Sequence, residues 1–271
     1  MQKTKMALIY DFDKTLSTRD MQEFHLLERL GYKNPDDFWK KCAQLSREKN
    51  IDSILSYMYM IIHEDKNMTQ ASLQEEGKYV EFFPGVDTWF KRINEYAAKR
   101  NIEIEHYIIS SGLTDMVKGS SIANEFKKIY ACSYFYDENG RVLWPSRVIN
   151  YTTKTQYLFR INKGVFDETD DFNLNRSTPD EDKYIPLHHM IYLGDGLTDV
   201  PAMKIVNNFG GSTIVVYRDD DHARELAKEL HENKRAAFMA DADYSEGGRI
   251  ENIVHGIIDT VVADLNLDDY R

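Results

Sequence analysis

The stretch Met6-Ala7-Leu8-Ile9-Tyr10-Asp11-Phe12-Asp13-Lys14-Thr15 decides how this chain is read. Five apolar residues in an unbroken run, ended by an acid-rich turn, describe a strand buried on both faces of a parallel sheet. Side chains two apart on an extended chain point the same way, so Asp11 and Asp13 share one small space while Phe12 points to the other face. A plainer reading also stands, because aspartates close turns and cap helices.

Outward from this strand, short apolar runs recur at Glu105 to Ile109, Ile129 to Phe135, Met190 to Leu193 and Thr213 to Tyr217, several separated by segments of helical periodicity. That alternation predicts an α/β fold with an open, Rossmann-like parallel sheet. Residues 17–82 break the rhythm, since their apolar spacing is helical throughout. Met21, Phe24, Leu27 and Leu30 mark one stripe. Asn34-Pro35 starts a second helix carrying Phe38, Cys42 and Leu45, and Ile51 to Ile62 forms a third. The expected organisation is an α/β core of residues 1–16 and 83–271 with an inserted all-helical cap domain, 17–82. Asp87 is a candidate cap for a helix running to Arg100. Asn139-Gly140 marks a hairpin turn between Tyr134 and Val148. Residues 164–182 form an acidic loop, read chiefly as solvated and less readily as a flap.

The 271 residues are 42% hydrophobic and 29% charged, ordinary values for a folded chain. Lys plus Arg is 34 against 45 for Asp plus Glu, a net charge of -11 that offers no basic footprint for nucleic acid. The longest uncharged run, Ile205 to Tyr217, is interrupted by asparagines and glycines and falls short of the ~20 apolar residues of a spanning helix, so no membrane role is expected. Only about five apolar residues precede the first acids, too few for a secretory leader. Two cysteines, Cys42 and Cys132, give neither a disulfide framework nor a zinc site. The expected setting is the cytoplasm.

Further chemistry-bearing residues fall at predicted strand ends. Gly194-Asp195-Gly196-Leu197-Thr198-Asp199 follows a buried strand and precedes Pro201, which places two more acids on the carboxyl edge of the sheet, where open α/β folds hold ligands. Carboxylates converging there repel one another unless a cation joins them, and Mg2+ suits an all-oxygen set. Capping remains an alternative for Asp199. Ser110-Ser111-Gly112 offers hydroxyl and backbone N–H donors after the second strand, as an ordinary turn also would. Lys154 opens a helix that a neighbouring threonine can cap. A cation there opposes the helix dipole by about 0.3–1 kcal/mol, unless it is simply an exposed lysine.

The order of these pieces, DxDxT, then Ser, then Lys, then GDxxxD, resembles the haloacid dehalogenase superfamily, in particular its phosphoserine phosphatase-like members with a helical cap. The resemblance runs from Met6 to about Asp199. It implies a Mg2+-dependent phosphomonoester hydrolase acting on a small phosphorylated metabolite through an aspartyl-phosphate intermediate. Asp11 would be the nucleophile, Asp13 the general acid and base, Ser110 and Lys154 phosphate ligands, and Ser111 and Gly112 further substrate contacts. The metal set would be drawn from Asp11, Asp13, Asp195 and Asp199, with Asp199 also read as a supporting residue. Asp20, nine positions after Asp11, would meet a substrate amine or merely cap a helix, and Arg19 and Arg47 are candidates for a substrate carboxylate. The length of the chain and its acidic insertion depart from the compact phosphoserine enzymes. A phosphotransferase or phosphomutase using the same intermediate is the alternative, and a non-catalytic binding protein on the same fold is a lesser one. Dehalogenation is disfavoured because it needs neither the second acid nor a metal.

Overall fold

The computed structural model describes residues 3–268. Thr4–Tyr10 is β1, and its last five residues are wholly buried, as an apolar run between two helical layers must be. The chain then leaves the sheet for short helical pieces: a single 3-10 turn at Met21–Glu23, then α1 (Leu26–Arg29), α2 (Pro35–Lys49), α3 (Ser53–Glu64) and α4 (Gln70–Gly77). It returns through α5 (Val86–Ala98) to β2 (Ile102–Leu113), α6 (Thr114–Gly119), β3 (Lys128–Tyr136), β4 (Val142–Arg147), α7 (Lys154–Lys163) and α8 (Asp171–Asn175). The remainder is β5 (Met190–Gly194), α9 (Val200–Asn208), β6 (Ser212–Tyr217), α10 (Asp221–Glu232), β7 (Phe238–Asp241) and α11 (Arg249–Asp268).

The seven strands lie in the order β4-β3-β2-β1-β5-β6-β7, all parallel except β4, which runs antiparallel to β3. The α/β sheet expected from the sequence is therefore present. Tyr10 is in register with Ile108 of β2 and Leu193 of β5, so Asp11, the Ser110 to Gly112 stretch and Asp195 emerge side by side at one carboxyl edge. No helix among the described residues is long and apolar enough to cross a membrane.

Ser17 and Phe82 pair in an isolated antiparallel bridge at the root of the helical insertion. Beyond that root the insertion is sewn to the sheet layer. α4 crosses α6 at two glycines: a Cβ on Gly119 would stand 1.8 Å from the Gln74 carbonyl, and one on Gly77 would stand 2.1 Å from that of Met116. The Tyr57 hydroxyl donates to the Ser111 carbonyl (2.6 Å), and Tyr134 donates to the Met58 carbonyl (2.9 Å).

Several local expectations change. The Met21 to Leu30 stripe is not one helix but a 3-10 turn and a single α turn, because Met21 is drawn into the sheet's carboxyl edge as described below. Gly85, at φ 79°, caps α5 in place of Asp87; a Cβ there would meet the Tyr244 carbonyl at 2.5 Å. At the hairpin, Gly140 alone takes positive φ (76°), and the loop spans Asp137 to Arg141. The acidic loop stands at the far end of α7, ten residues or roughly 15 Å from Lys154. Buried Arg160 holds it by donating to the carbonyls of Asp167 (2.8 Å) and Glu168 (3.1 Å). It then runs to the start of β5, and its Glu168 pairs with Arg147, which donates to the Thr114 hydroxyl just after β2 (2.9 Å).

Candidate active site

Asp11 is nearly buried at the end of β1. Its Oδ1 accepts the Phe12 N–H (2.8 Å), which fixes the carboxylate, and Oδ2 lies 3.0 Å from Lys154 Nζ. Lys154 is wholly buried, and its second partner is Asp199 Oδ1 at 2.7 Å. The same Asp199 oxygen accepts the Tyr192 hydroxyl (2.8 Å), while Oδ2 takes the Gly196 N–H (3.4 Å). Gly194 leaves room for this carboxylate, since a Cβ there would stand 2.4 Å from it. Lys154 is therefore no ornament on a helix start. The helix turn ahead of it is organised by Asn150, whose side-chain oxygen accepts the Thr152 and Thr153 N–H groups, rather than by a threonine cap.

Asp11, Asp195 and Asp199 each place a carboxylate oxygen within 4.8 Å of the others. Burial pushes the Asp11 carboxyl up to about 6; Asp199 adds to the shift and Lys154 opposes it. Burial together with Asp199 and Asp11 pushes Asp195 up to about 8, against the pull of Lys14 and Lys154. Burial acts to lower the Lys154 pKa, but Asp11 and Asp199 outweigh it and hold the ammonium charged well above its ordinary range. One lysine thus faces three carboxylates, an all-oxygen donor set short of positive charge, which fits a hard divalent cation. Both Asp199 oxygens already have partners, whereas Asp195 has no hydrogen-bonded partner among the described residues.

Asp13 stands outside that group. Its Oδ1 accepts the Met21 N–H (2.7 Å), and burial, Asp20 and Asp11 raise its pKa well above the ordinary carboxyl value. Met21, wholly buried, closes over it: the sulfur accepts the Leu113 N–H (3.1 Å), and the methyl sits where a Cβ of Gly112 would be, 2.2 Å from that point. Gly112 is thus required by Met21 and Asp13 together. Ser110 is wholly buried, and its Oγ accepts the Gly112 N–H (3.0 Å), while the Ser111 hydroxyl is buried without a protein partner.

Asp20 begins the 3-10 turn without capping it. Its Oδ2 instead meets Lys14 Nζ at 2.5 Å. Arg19 lies over the Phe24 ring (4.4 Å), and Arg47 is exposed in the last turn of α2. Met21 and Tyr192 escaped sequence reading because each looks like one more apolar residue in a helical stripe or a buried strand. Lys14 carried a usable signal: a lysine wedged between two acids and a threonine at a strand end.

Comparison with solved structures bears on this arrangement. An intermediate-analogue structure of a phosphoserine phosphatase superposes with TM-score 0.53 over 93% of this chain and 98% of that one, at 15% identity. The fold is that of the phosphoserine phosphatases. The same fold occurs in a haloacid dehalogenase family hydrolase from Salmonella enterica serovar Typhi, TM-score 0.56 and 16% identity, which covers 82% of this chain while this chain spans 66% of that one. In sequence, an uncharacterised protein of Borreliella burgdorferi is 28% identical over 278 residues, covering 91% of this chain and 94% of its own length. No protein-family profile matches the chain. In this phosphoserine phosphatase fold the sheet's carboxyl edge carries the Asp11, Lys154, Asp195 and Asp199 cluster described above.

Proposed function

We propose that the protein is a Mg2+-dependent phosphomonoesterase that transfers a phosphoryl group from a small metabolite to Asp11 and then to water. The observation that carries this reading is the wholly buried Lys154, shared between Asp11 and Asp199 beside Asp195 at the sheet's carboxyl edge. Burying an ammonium costs several kcal/mol unless it is paired.

Asp195, whose carboxylate has no hydrogen-bonded partner among the described residues, would hold Mg2+ together with Asp11 beside it, and Asp199 orients Lys154. The ion, when bound, supplies positive charge that lets an anionic phosphate approach an anionic carboxylate. Asp11 Oδ attacks phosphorus; the new O–P bond forms as the ester P–O bond breaks. Asp13, whose raised pKa favours its protonated form, gives its proton to the departing oxygen. Water then attacks the acyl phosphate while Asp13 takes back a proton, and inorganic phosphate leaves with Asp11 restored. Lys154 offsets the charge on the transferring group throughout. Ser110 and Ser111 would bind phosphate oxygens; the unpartnered Ser111 hydroxyl, a donor in want of an acceptor, supports this.

Turnover of a generic aryl phosphate with and without Mg2+ tests the reading. Hydrolysis requires one inorganic phosphate per phenol released; a shortfall made up by phosphorylated acceptor would identify a transferase. Asp11→Asn should abolish release while preserving the fold, and substantial residual turnover would sink the covalent route.

A further inference from the structure

The segment Ser110 to Gly112 lies outside the regular strand ladder. Between Ile109, paired with Tyr130, and Leu113, paired with Cys132, β2 carries three residues against one on β3, so the strand bulges at the carboxyl edge. The bulge sits against Asp13: a Cβ on Gly112 would stand 2.8 Å from Asp13 Oδ2. A bulged backbone loses ladder partners, and each buried polar group must find another. Two of the replacements come from the helical insertion. The Met21 sulfur accepts the Leu113 N–H (3.1 Å), and the hydroxyl of buried Tyr57, in α3, donates to the Ser111 carbonyl (2.6 Å). α3 is itself held on either side of Tyr57, by Ser56 donating to the Cys42 carbonyl (2.7 Å) and by Tyr134 donating to that of Met58 (2.9 Å).

The Ser111 carbonyl and the Gly112 N–H belong to one planar trans peptide and point in opposite directions. Holding the carbonyl therefore aims the N–H, which reaches Ser110 Oγ at 3.0 Å. A serine hydroxyl has one proton to give and two lone pairs to receive. With its oxygen accepting from Gly112, the wholly buried Ser110 hydroxyl has no acceptor for its proton among the described residues, and the Ser111 hydroxyl has no partner at all. Two buried donors without acceptors, adjacent on one bulge, suit a ligand that brings several acceptor oxygens of its own. We propose that Tyr57 is a positioning residue for phosphate binding: from the insertion it fixes the Ser111–Gly112 peptide, so that Ser110 spends a lone pair on Gly112 and keeps its proton for a phosphate oxygen. This rests on the phosphatase reading and assigns the insertion a part in it. Without the Tyr57 hydroxyl the peptide is free to rotate, the Gly112 N–H releases Ser110, and the serine proton can turn to a backbone carbonyl instead.

Tyr57→Phe keeps the ring, edge-on to Trp39 at 6.0 Å, and removes only the hydroxyl. Inorganic phosphate is the probe, titrated by calorimetry into the full chain with Mg2+ and measured also as an inhibitor of aryl phosphate turnover. Tyr57→Phe should weaken phosphate about tenfold, the weight of one hydrogen bond, and raise KM for the aryl ester more than it lowers kcat. In a Ser110→Ala background the same substitution should cost nothing further, because the hydroxyl it positions is gone. If Ser110→Ala binds phosphate too weakly to titrate, Ser110→Cys, a poorer donor, completes the cycle. A general loosening of the fold would weaken both backgrounds alike. Undiminished phosphate affinity in Tyr57→Phe, an equal loss in both backgrounds, or no phosphate binding by wild type at millimolar concentration would each overturn the proposal. If calorimetry shows the coupling but no ester is hydrolysed, the reaction is at fault and the role of Tyr57 stands; if esters are hydrolysed and the coupling is absent, that role alone fails.

Discussion

Replacing Lys154 by methionine keeps an unbranched side chain of similar volume and removes only the charge. As a cation at a helix start, Lys154 would oppose the dipole by about 0.3–1 kcal/mol, so its loss would be neutral or slightly stabilising. The observed contacts reverse that expectation. Lys154 is wholly buried between Asp11 at 3.0 Å and Asp199 at 2.7 Å, and removing one partner of a buried pair costs about 3–5 kcal/mol. The larger effect decides the sign. Asp11 already titrates near 6 with the lysine beside it and must titrate higher without it. A carboxyl with a raised folded pKa binds its proton more tightly in the fold than in the unfolded chain. Its favourable contribution is therefore present in acid and is lost as pH rises through the folded value. Lys154→Met should thus be destabilised by about 3–5 kcal/mol at pH 8, a fall of roughly 6–15 °C in Tm, and by clearly less at pH 5.5. Urea unfolding followed by circular dichroism at both pH values measures this, and kcat/KM for an aryl phosphate should drop about a hundredfold or more. A mutant with wild-type stability at pH 8, or one whose deficit grows in acid, refutes the argument.

Mg2+ should raise the Tm, and more at pH 7.5 than at pH 5, because Asp11 and Asp195 hold protons in acid that the ion must displace; calorimetry in buffers of different ionisation enthalpy should show proton release, and none would contradict the assigned ligands. Met21→Ala should admit water to Asp13 and slow alkyl phosphates more than aryl phosphates with acidic phenols, while Met21→Leu, which keeps the volume and loses the sulfur acceptor, should fall between; equal losses for both substrate types would remove Met21 from the role of holding the acid. His106 is buried, receives the Tyr10 hydroxyl at Nδ1 (3.0 Å) and faces Asn94 Oδ1 through Nε2 (3.1 Å), and burial lowers its pKa to about 3. The unfolded chain therefore gains a proton near pH 6.5 that the fold refuses, and stability should decline by about 2 kcal/mol between pH 6.5 and 5; His106→Gln should flatten that part of the profile.

Strand one and the carboxyl edge were legible in the sequence because a buried parallel strand is a local signal: Met6 to Tyr10 is apolar throughout, and the acids that follow it must lie at its end. The order of Asp11, Ser110 and Asp195 along the chain was enough to predict one shared edge, since parallel strands bring their C-terminal ends together, whereas Lys154, which follows the antiparallel β4, joined them only through the family resemblance. α2 was equally plain, because Asn34 and Pro35 are next to the groups they cap. What escaped the sequence depends on partners far away along the chain. Lys154 reads as a surface cation until Asp199, 45 positions on, is folded against it. Met21 reads as one residue of a helical stripe until Asp13 takes its N–H and Gly112 gives up the space for its methyl group. Asp20 reads as an acid open to a substrate until Lys14 turns back in a left-handed conformation to reach it. Periodicity reports which face of an element is buried, but a buried charge or an irregular turn is decided by the tertiary partner that stabilises it, and that partner is not encoded locally.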